Sequence, residues 1–585
     1  MFNKYYQDEL SYLRELGREF AGAYPALAPM LAERGADPDV ERLLEGVAFL
    51  TARVREKLED ELPEAIVGMA SLLFPELTRP RPGATILEMV PHANVLRERL
   101  VVPAGTEFAS VKVDGTSCRF RSTVETTVTP WLVDDVALET LAGGKQHLRV
   151  DLRLTAQAPL GQLVGDTLRL HFAGESAQSL DLLLWAREHT EEIQLWDPKA
   201  KGGSARVLRL PKTALTWRAI EPEESLLPED ETVLPSYRLL QDYYHLPAKF
   251  AFVDIDGASA LAELREVSRV SLSMVFDAPH PRIQRLPREA VKVNCVPVVN
   301  VFATTAEPIR IAAHRGAYLV RPAELPPAHG EVYRIESVEA VGRGGERVPV
   351  HDFFRFEHAA QRASSRAFYT THLRPSMAEG ADMSMAFGVA DADGGLFDAE
   401  VVSIDLLATN RQLASALRVG EVGKATAWSP STVTFRNILP VTRSVPAPVG
   451  RDLHWRAVAH AVMGLRSIAD PTVLRAVLDV YNTEAAVDRQ AARANQLRAA
   501  ALREVRVTPA ERVSRGSVVR GVEVEVELDE NGFSGPGDLY LFSAVLDRLF
   551  ADYLAINTFG RTSVVALPSR TRYPWPPRSG TSPLL

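Results

Sequence analysis

The sequence predicts an α+β multidomain fold: an N-terminal helical hairpin or bundle, β-rich, sandwich-like middle domains, and a mixed α+β C-terminal domain. Three observations carry that expectation. Apolar residues recur every three or four positions before Pro80, then give way from Arg81 to short β-branched runs separated by turn signals. Helical spacing returns after Pro440, Pro446 and Pro448. The 585 residues exceed what one hydrophobic core organises, which implies about three to five domains. The expected divisions are 1–80, 81–286, 287–445, 446–567 and a Pro-rich tail at 568–585.

In the first helix Phe2, Tyr6, Leu10, Leu13, Leu16, Phe20 and Tyr24 keep helical spacing until Pro25. Gly17 lies on the same stripe. An internal Gly costs about 1 kcal/mol relative to Ala, so its presence points to close approach of another helix. The second helix is marked by Asp37 as N-cap and Pro38 at the first helical position. Val40, Leu43, Leu44, Val47, Leu50, Val54, Leu58 and Leu62 follow at spacings of three and four. Pro63 interrupts the pattern, and Ile66 to Phe74 forms the other arm of a hairpin that stops at Pro75.

The stripe through Leu44, Val47 and Val54 is expected to pack inside that hairpin. Phe49 points almost opposite Val40, among Arg42, Glu45, Arg53, Glu56 and Asp60, with Gly46 beside it. Gly17, Gly46, Phe49 and Arg53 are therefore the candidate partner-contact residues of this region.

From Arg81 the runs Ala84–Val90, Arg99–Val102, Val124–Val128, Leu148–Leu154, Thr167–Phe172 and Val207–Leu210 read as strands, with one helix at Ser176–His189. A second β-rich block begins near Pro287. There VKVNCVPVVNVFATTAEPIRI reads as two extended runs broken by Pro297 and Pro308, followed by Glu331–Val341, Val348–Phe354, Met383–Val389 and Glu400–Ala408. Gly342 to Gly345 reads as a hairpin turn.

In the C-terminal part Asp470 and Pro471 repeat the cap logic ahead of Val473, Leu474, Val477, Leu478 and Tyr481. Val522, Val524, Val526 and Leu528 alternate with Glu523, Glu525, Glu527 and Asp529, as in a strand wet on one face. Leu546, Leu549, Phe550, Tyr553 and Ile556 suggest an amphipathic helix ending at Asn557. The tail holds Pro574, Trp575, Pro576 and Pro577. It reads as an extended strap, with Trp575 its anchor and a further candidate contact residue.

Chemistry leaves few traces. A net charge of -9 argues against nucleic acid or anionic lipid as partner. Cys118 and Cys295 form neither a disulfide framework nor a zinc motif, which suits a reducing cytosol. No signal peptide and no spanning apolar run is visible. His454 and His460 are six apart and do not converge on a straight helix. Gly420 to Thr426 misplaces a glycine and the hydroxyl that a phosphate loop needs, and reads as a turn. Asp391, Asp393, Gly394 and Asp398 miss the positions of a calcium loop, and Gly342-x-Gly344-Gly345 lacks a dinucleotide fingerprint's third glycine and helix. No cofactor, metal or catalytic residue is expected.

The stretches YYQDELSYLRELGREFA, DPDVERLLEGVAFLTARVREKLEDELPE, VNCVPVVNVF, ATNRQLA, LHWRAVAHAVMGL, TVLRAVLDVY and YLFSAVLDRLFADYLAINTF, in that order, resemble the conserved blocks of the TssF (VasA/ImpG) family. These are baseplate subunits of the bacterial type VI secretion system. The resemblance implies a cytoplasmic wedge in which two copies join one TssG and connect to TssK and to neighbouring wedges, around the spike and beneath the contractile sheath and tube. It implies no cofactor, no reaction, no nucleic acid and no direct membrane insertion. The segments 143–240 and 483–502 carry none of it. The alternative is a carbohydrate- or peptide-binding enzyme built on β-sandwich domains, which composition allows.

Overall fold

The computed structural model describes residues 2–23, 38–39, 41–54, 74–141, 143–156, 163, 165–199, 206–227, 233–264, 268–312, 316–342, 345–354, 367–376, 380–389, 399–447, 469–514 and 516–580. Its helices are α1 (Phe2–Ala23), α2 (residues 41–54), α3 (Ser176–His189), α4 (Pro235–His245), α5 (Pro471–Tyr481), α6 (Arg489–Ala500) and α7 (Pro536–Asp552). The Asp37 cap, the Pro63 break, most of the Ile66–Phe74 arm, His454, His460 and the aspartates of 391–398 lie outside the described residues.

The mixed α+β, strand-rich class agrees with expectation, and three cores organise it. One lies on a six-stranded sheet in the order Val422–Lys424, Glu107–Val113, Thr116–Ser122, Cys295–Val299, Ala84–Pro91, Val433–Asn437. A second fills a sandwich whose sheets centre on Ala399–Thr409 with Glu331–Gly342 and on Ala381–Val389 with Ala367–Pro375. The third and largest joins the sheets around Arg269–Phe276 and Phe252–Asp256 to α3, α4, α5, α7 and the C-terminal sheet.

Pro297 corrects one expectation. It lies inside the strand Cys295–Val299, opposite Ile86, rather than breaking the run. Its carbonyl faces Thr116–Ser122, where it accepts from Thr123 N at 3.1 Å, and pairing with that neighbour covers just Val298 and Val299. The missing N–H therefore falls beyond the ladder, where no bond is demanded.

The helix expected at Leu546–Ile556 is a second correction. It runs Pro536–Asp552 and every residue from Gly537 to Asp547 is buried, so it is the axis of the largest core rather than an amphipathic surface helix. It starts against α3: a Cβ on Gly537 would meet the Leu180 carbonyl carbon at 2.1 Å, which leaves glycine as the residue that fits. Asp181 accepts from Gly537 N at 2.8 Å, a carboxylate at the positive end of the helix. Asp538 accepts from Tyr243 Oη at 2.7 Å and from Arg498 Nε and Nη2 at 3.1 and 3.0 Å. The polar positions that looked solvent-facing are thus satisfied by internal partners.

The strands Ser517–Asp529 and Phe559–Leu567 pair in parallel with α7 as their crossover. Val524, Val526 and Leu528 are buried while Glu523, Glu525 and Glu527 face outward, as the alternation predicts. Asp470 caps α5 by accepting from Thr472 N at 2.7 Å, and Leu474, Val477, Leu478 and Tyr481 are buried behind it.

Candidate interaction surfaces

α1 and α2 are joined by an ion pair, Arg14 Nη2 to Glu41 Oε2 at 2.7 Å. The inward line of α2 is Glu41, Leu44, Ala48 and Ala52, of which the two alanines are fully buried. Small side chains on that line let the helix pack closely. The broader apolar stripe is turned outward: Leu43 is 71% exposed and Leu50 65%, with Val47 and Val54 exposed beside them. Of the stripe through Leu44 expected to pack inside the hairpin, Leu44 lies on the inward line and Val47 and Val54 do not, while most of the hairpin's other arm lies outside the described residues. Spacing finds an apolar stripe but does not say which of two apolar faces meets its own chain. On α1, Tyr12, Leu16 and Phe20 are also exposed, at i, i+4 and i+8.

Gly46, Phe49 and Arg53 lie on one side of α2 and all three are exposed, Phe49 by 45%. Among the described residues, nothing lies within 4 Å of where a Cβ on Gly46 would sit. Gly17 is half-buried on α1. Trp575 is far from this group in sequence and rests on α7. Its indole lies tilted against the Tyr540 ring, centroids 5.2 Å apart, and its Nε1 donates to Ser543 Oγ at 3.2 Å. The strap around it forms two short strands, Arg572–Pro574 and Arg578–Ser579, on Phe559–Leu567.

Two exposed features escaped the sequence reading. Trp428 is 79% exposed on a loop held to the strand Glu107–Val113, where Thr426 Oγ1 and Ser429 Oγ donate to Glu107 O at 3.0 and 2.7 Å. The hairpin of Leu502–Ser514 with Ser517–Asp529 extends beyond its sheet, since Phe559–Leu567 pairs only as far as Gly521, and Val513 and Val518 are exposed at its tip. An aromatic within a Ser/Thr/Pro loop was the available signal for the first. Unequal strand lengths were the signal for the second.

One arrangement resembles a nucleophile with its base and acid. His147 Nδ1 lies 2.6 Å from Ser273 Oγ and His147 Nε2 lies 3.2 Å from Glu139 Oε2. Ser273 is fully buried on the middle strand of its sheet, so no substrate reaches its hydroxyl, and the three tie adjacent strands together. Burial pushes the Cys118 thiol up to about 12 and Cys295 well above its ordinary value, which leaves both inert. Among the described residues no group of three or more His, Cys, Asp or Glu could hold a metal ion. No described helix is long and apolar enough to cross a membrane.

The family profile described as "Type VI secretion system, TssF" matches residues 1–582. A Pseudomonas aeruginosa protein described as type VI secretion system component TssF1 is 27% identical, over 96% of this chain and 95% of its own length. Among solved structures, a chain of a TssK-TssF-TssG baseplate subcomplex determined by cryo-electron microscopy superposes with a TM-score of 0.78 at 27% identity, covering 93% of this chain and 99% of that one. A chain of a type VI baseplate complex matches at a TM-score of 0.63 and 23% identity over the full length of both, a likeness of fold.

Proposed function

The chain belongs to the TssF family of type VI secretion systems, and on that footing we propose that it works as a structural subunit of the baseplate wedge. The observation that carries the reading is the likeness, over nearly its whole length, to a chain of a TssK-TssF-TssG subcomplex. TssG and TssK are the proposed direct partners, with a second copy of this chain in the same wedge. Spike, sheath and tube are reached through that assembly, on the cytoplasmic side of an inner-membrane-docked apparatus. Work of this kind is conformational, so it needs surfaces rather than a reacting centre.

The outward stripes of α1 and α2 supply such a surface. Contiguous exposed apolar side chains at helical spacing are the material of helix-bundle contacts. Gly46, Phe49 and Arg53 form its proposed flank, with Gly17 marking close helix approach on α1. Trp575 is proposed to act indirectly, by holding the strap against α7. The enzyme alternative has no metal cluster among the described residues to recommend it, and its nearest approach to a nucleophile, Ser273, is buried.

Co-expression of the tagged chain with TssG and TssK, followed by native mass spectrometry, tests the proposal. The expected result is a discrete complex with two copies of this chain per TssG. Purification of the chain alone under all conditions, with hydrolase activity on a glycan or peptide, would overturn it.

A further inference from the structure

At the C-terminal end of α7 the molecule holds a cleft of about 390 Å3. Its walls are the Ile220–Ser225 turns, the first turns of α4, the last turns of α7 and Pro577–Ser579 of the strap. Pockets of this size accommodate small organic groups.

Four cations reach the cleft and three are engaged. Lys249 Nζ donates to Asp242 Oδ2 at 2.7 Å, Arg548 Nη2 to Glu221 Oε1 at 2.6 Å, and Arg578 Nε to Asp547 Oδ2 at 2.5 Å. The remaining carboxylate of the lining, Asp552, accepts from Ser236 N at 2.9 Å. The fourth cation is different. Arg238 has Nε and Nη1 buried without a hydrogen-bond partner, and so has the Oγ of Ser236, a residue 2% exposed that lines the same cleft. Glu221 and Asp242 are engaged by Arg548 and Lys249, and Asp552, though its charge lies close to Arg238 and Ser236, accepts no hydrogen bond from the guanidinium. Both unmatched donors belong to the first turn of α4, where the helix dipole adds partial positive charge. Buried donors without acceptors weaken a fold, and an acceptor that reaches them removes that cost.

Apart from Ser225 and Ser579, the rest of the wall is apolar: Ile220, Pro222, Pro235, Leu239, Ala551 and Pro577. A free inorganic oxyanion leaves that wall uncovered, and the second charge of a phosphate falls beside Asp552, Glu221 and Asp242. A monoanionic head on an apolar stem fits both halves of the lining.

We propose that this cleft binds a carboxylate on a short apolar stem, supplied by an acidic side chain of a partner polypeptide, with Arg238 and Ser236 as the donors that recognise it. That a polypeptide supplies the group rests on the assembly reading; the chemistry of the cleft does not.

Isothermal titration of the full-length chain with N-acetylglutamate α-methylamide tests this directly. Saturable millimolar binding is expected, at least tenfold weaker for the neutral glutamine analogue and at least tenfold weaker in Arg238→Gln. Ser236→Ala should lose affinity severalfold and serves if Arg238→Gln fails to fold. Equal affinity for the glutamine analogue, tighter binding of inorganic phosphate, no saturable binding, or undiminished binding in the variants would each overturn the site. Loss of co-purification with TssG and TssK while the glutamate analogue still binds would count against the assembly reading alone.

Discussion

Asp538 shows how single residues hold this fold. It is 1% exposed and collects Tyr243, both nitrogens of one Arg498 edge, and Ser534 at the start of the central helix. Removing one partner of a buried ion pair leaves an uncompensated charge, so Asp538→Ala should lower stability by about 3–5 kcal/mol in urea denaturation. Two buried titratable groups act in opposite senses. Burial pushes His171 down from 6.5 to about 4, and Glu331, near Arg411 and Asp382, up from 4.5 to about 7. Between pH 4 and 6.5 the unfolded chain binds more protons at His171, so that contribution to stability falls as pH drops. Between about pH 4.5 and 7 the folded chain binds more at Glu331, so that contribution falls as pH rises. Glu331→Gln should therefore steepen the acid-side loss of stability, by up to about 1.4 kcal/mol per pH unit. Urea midpoints measured from pH 4.5 to 6.5 for both proteins check this.

Among elements, the strap and the N-terminal helices should respond differently to truncation. Trp575→Ala removes a half-buried indole from α7 and should cost about 2 kcal/mol of stability, with little change in co-purification. Phe49→Ala should weaken assembly by a few kcal/mol and cost less stability than Trp575→Ala, since Phe49 is 45% exposed and Ala favours helix. Thermal melts and quantitative pull-downs on the same preparations separate the two. Elements governed by local chemistry were readable in the sequence: Ser176–His189 matches its expected limits, Asp470 caps α5, and the Val/Glu alternation orients Ser517–Asp529. Elements governed by distant neighbours were not. Periodicity shows an apolar stripe on α2 but not that Ala48 and Ala52 form the inner line. It shows the apolar residues of α7 but not that Arg498, Arg578 and Tyr243, from remote parts of the chain, cover its polar side.

At the scale of the whole molecule, the C-terminal part is not an appendage. α7 and its sheet share one core with α3, α4 and the sheets of the middle region, while α1 and α2 leave apolar stripes uncovered. A large shared core with an exposed helical pair is the form expected of a subunit completed by its partners. The account's central claim is that this pair is the surface which assembly buries. Hydrogen–deuterium exchange of the full chain, alone and co-expressed with TssG and TssK, tests it most directly. Strong new protection across residues 2–23 and 41–54 in the complex, with the α7 core already protected in the isolated chain, is the predicted result. Unchanged exchange in those two helices within a complex that does form would contradict it.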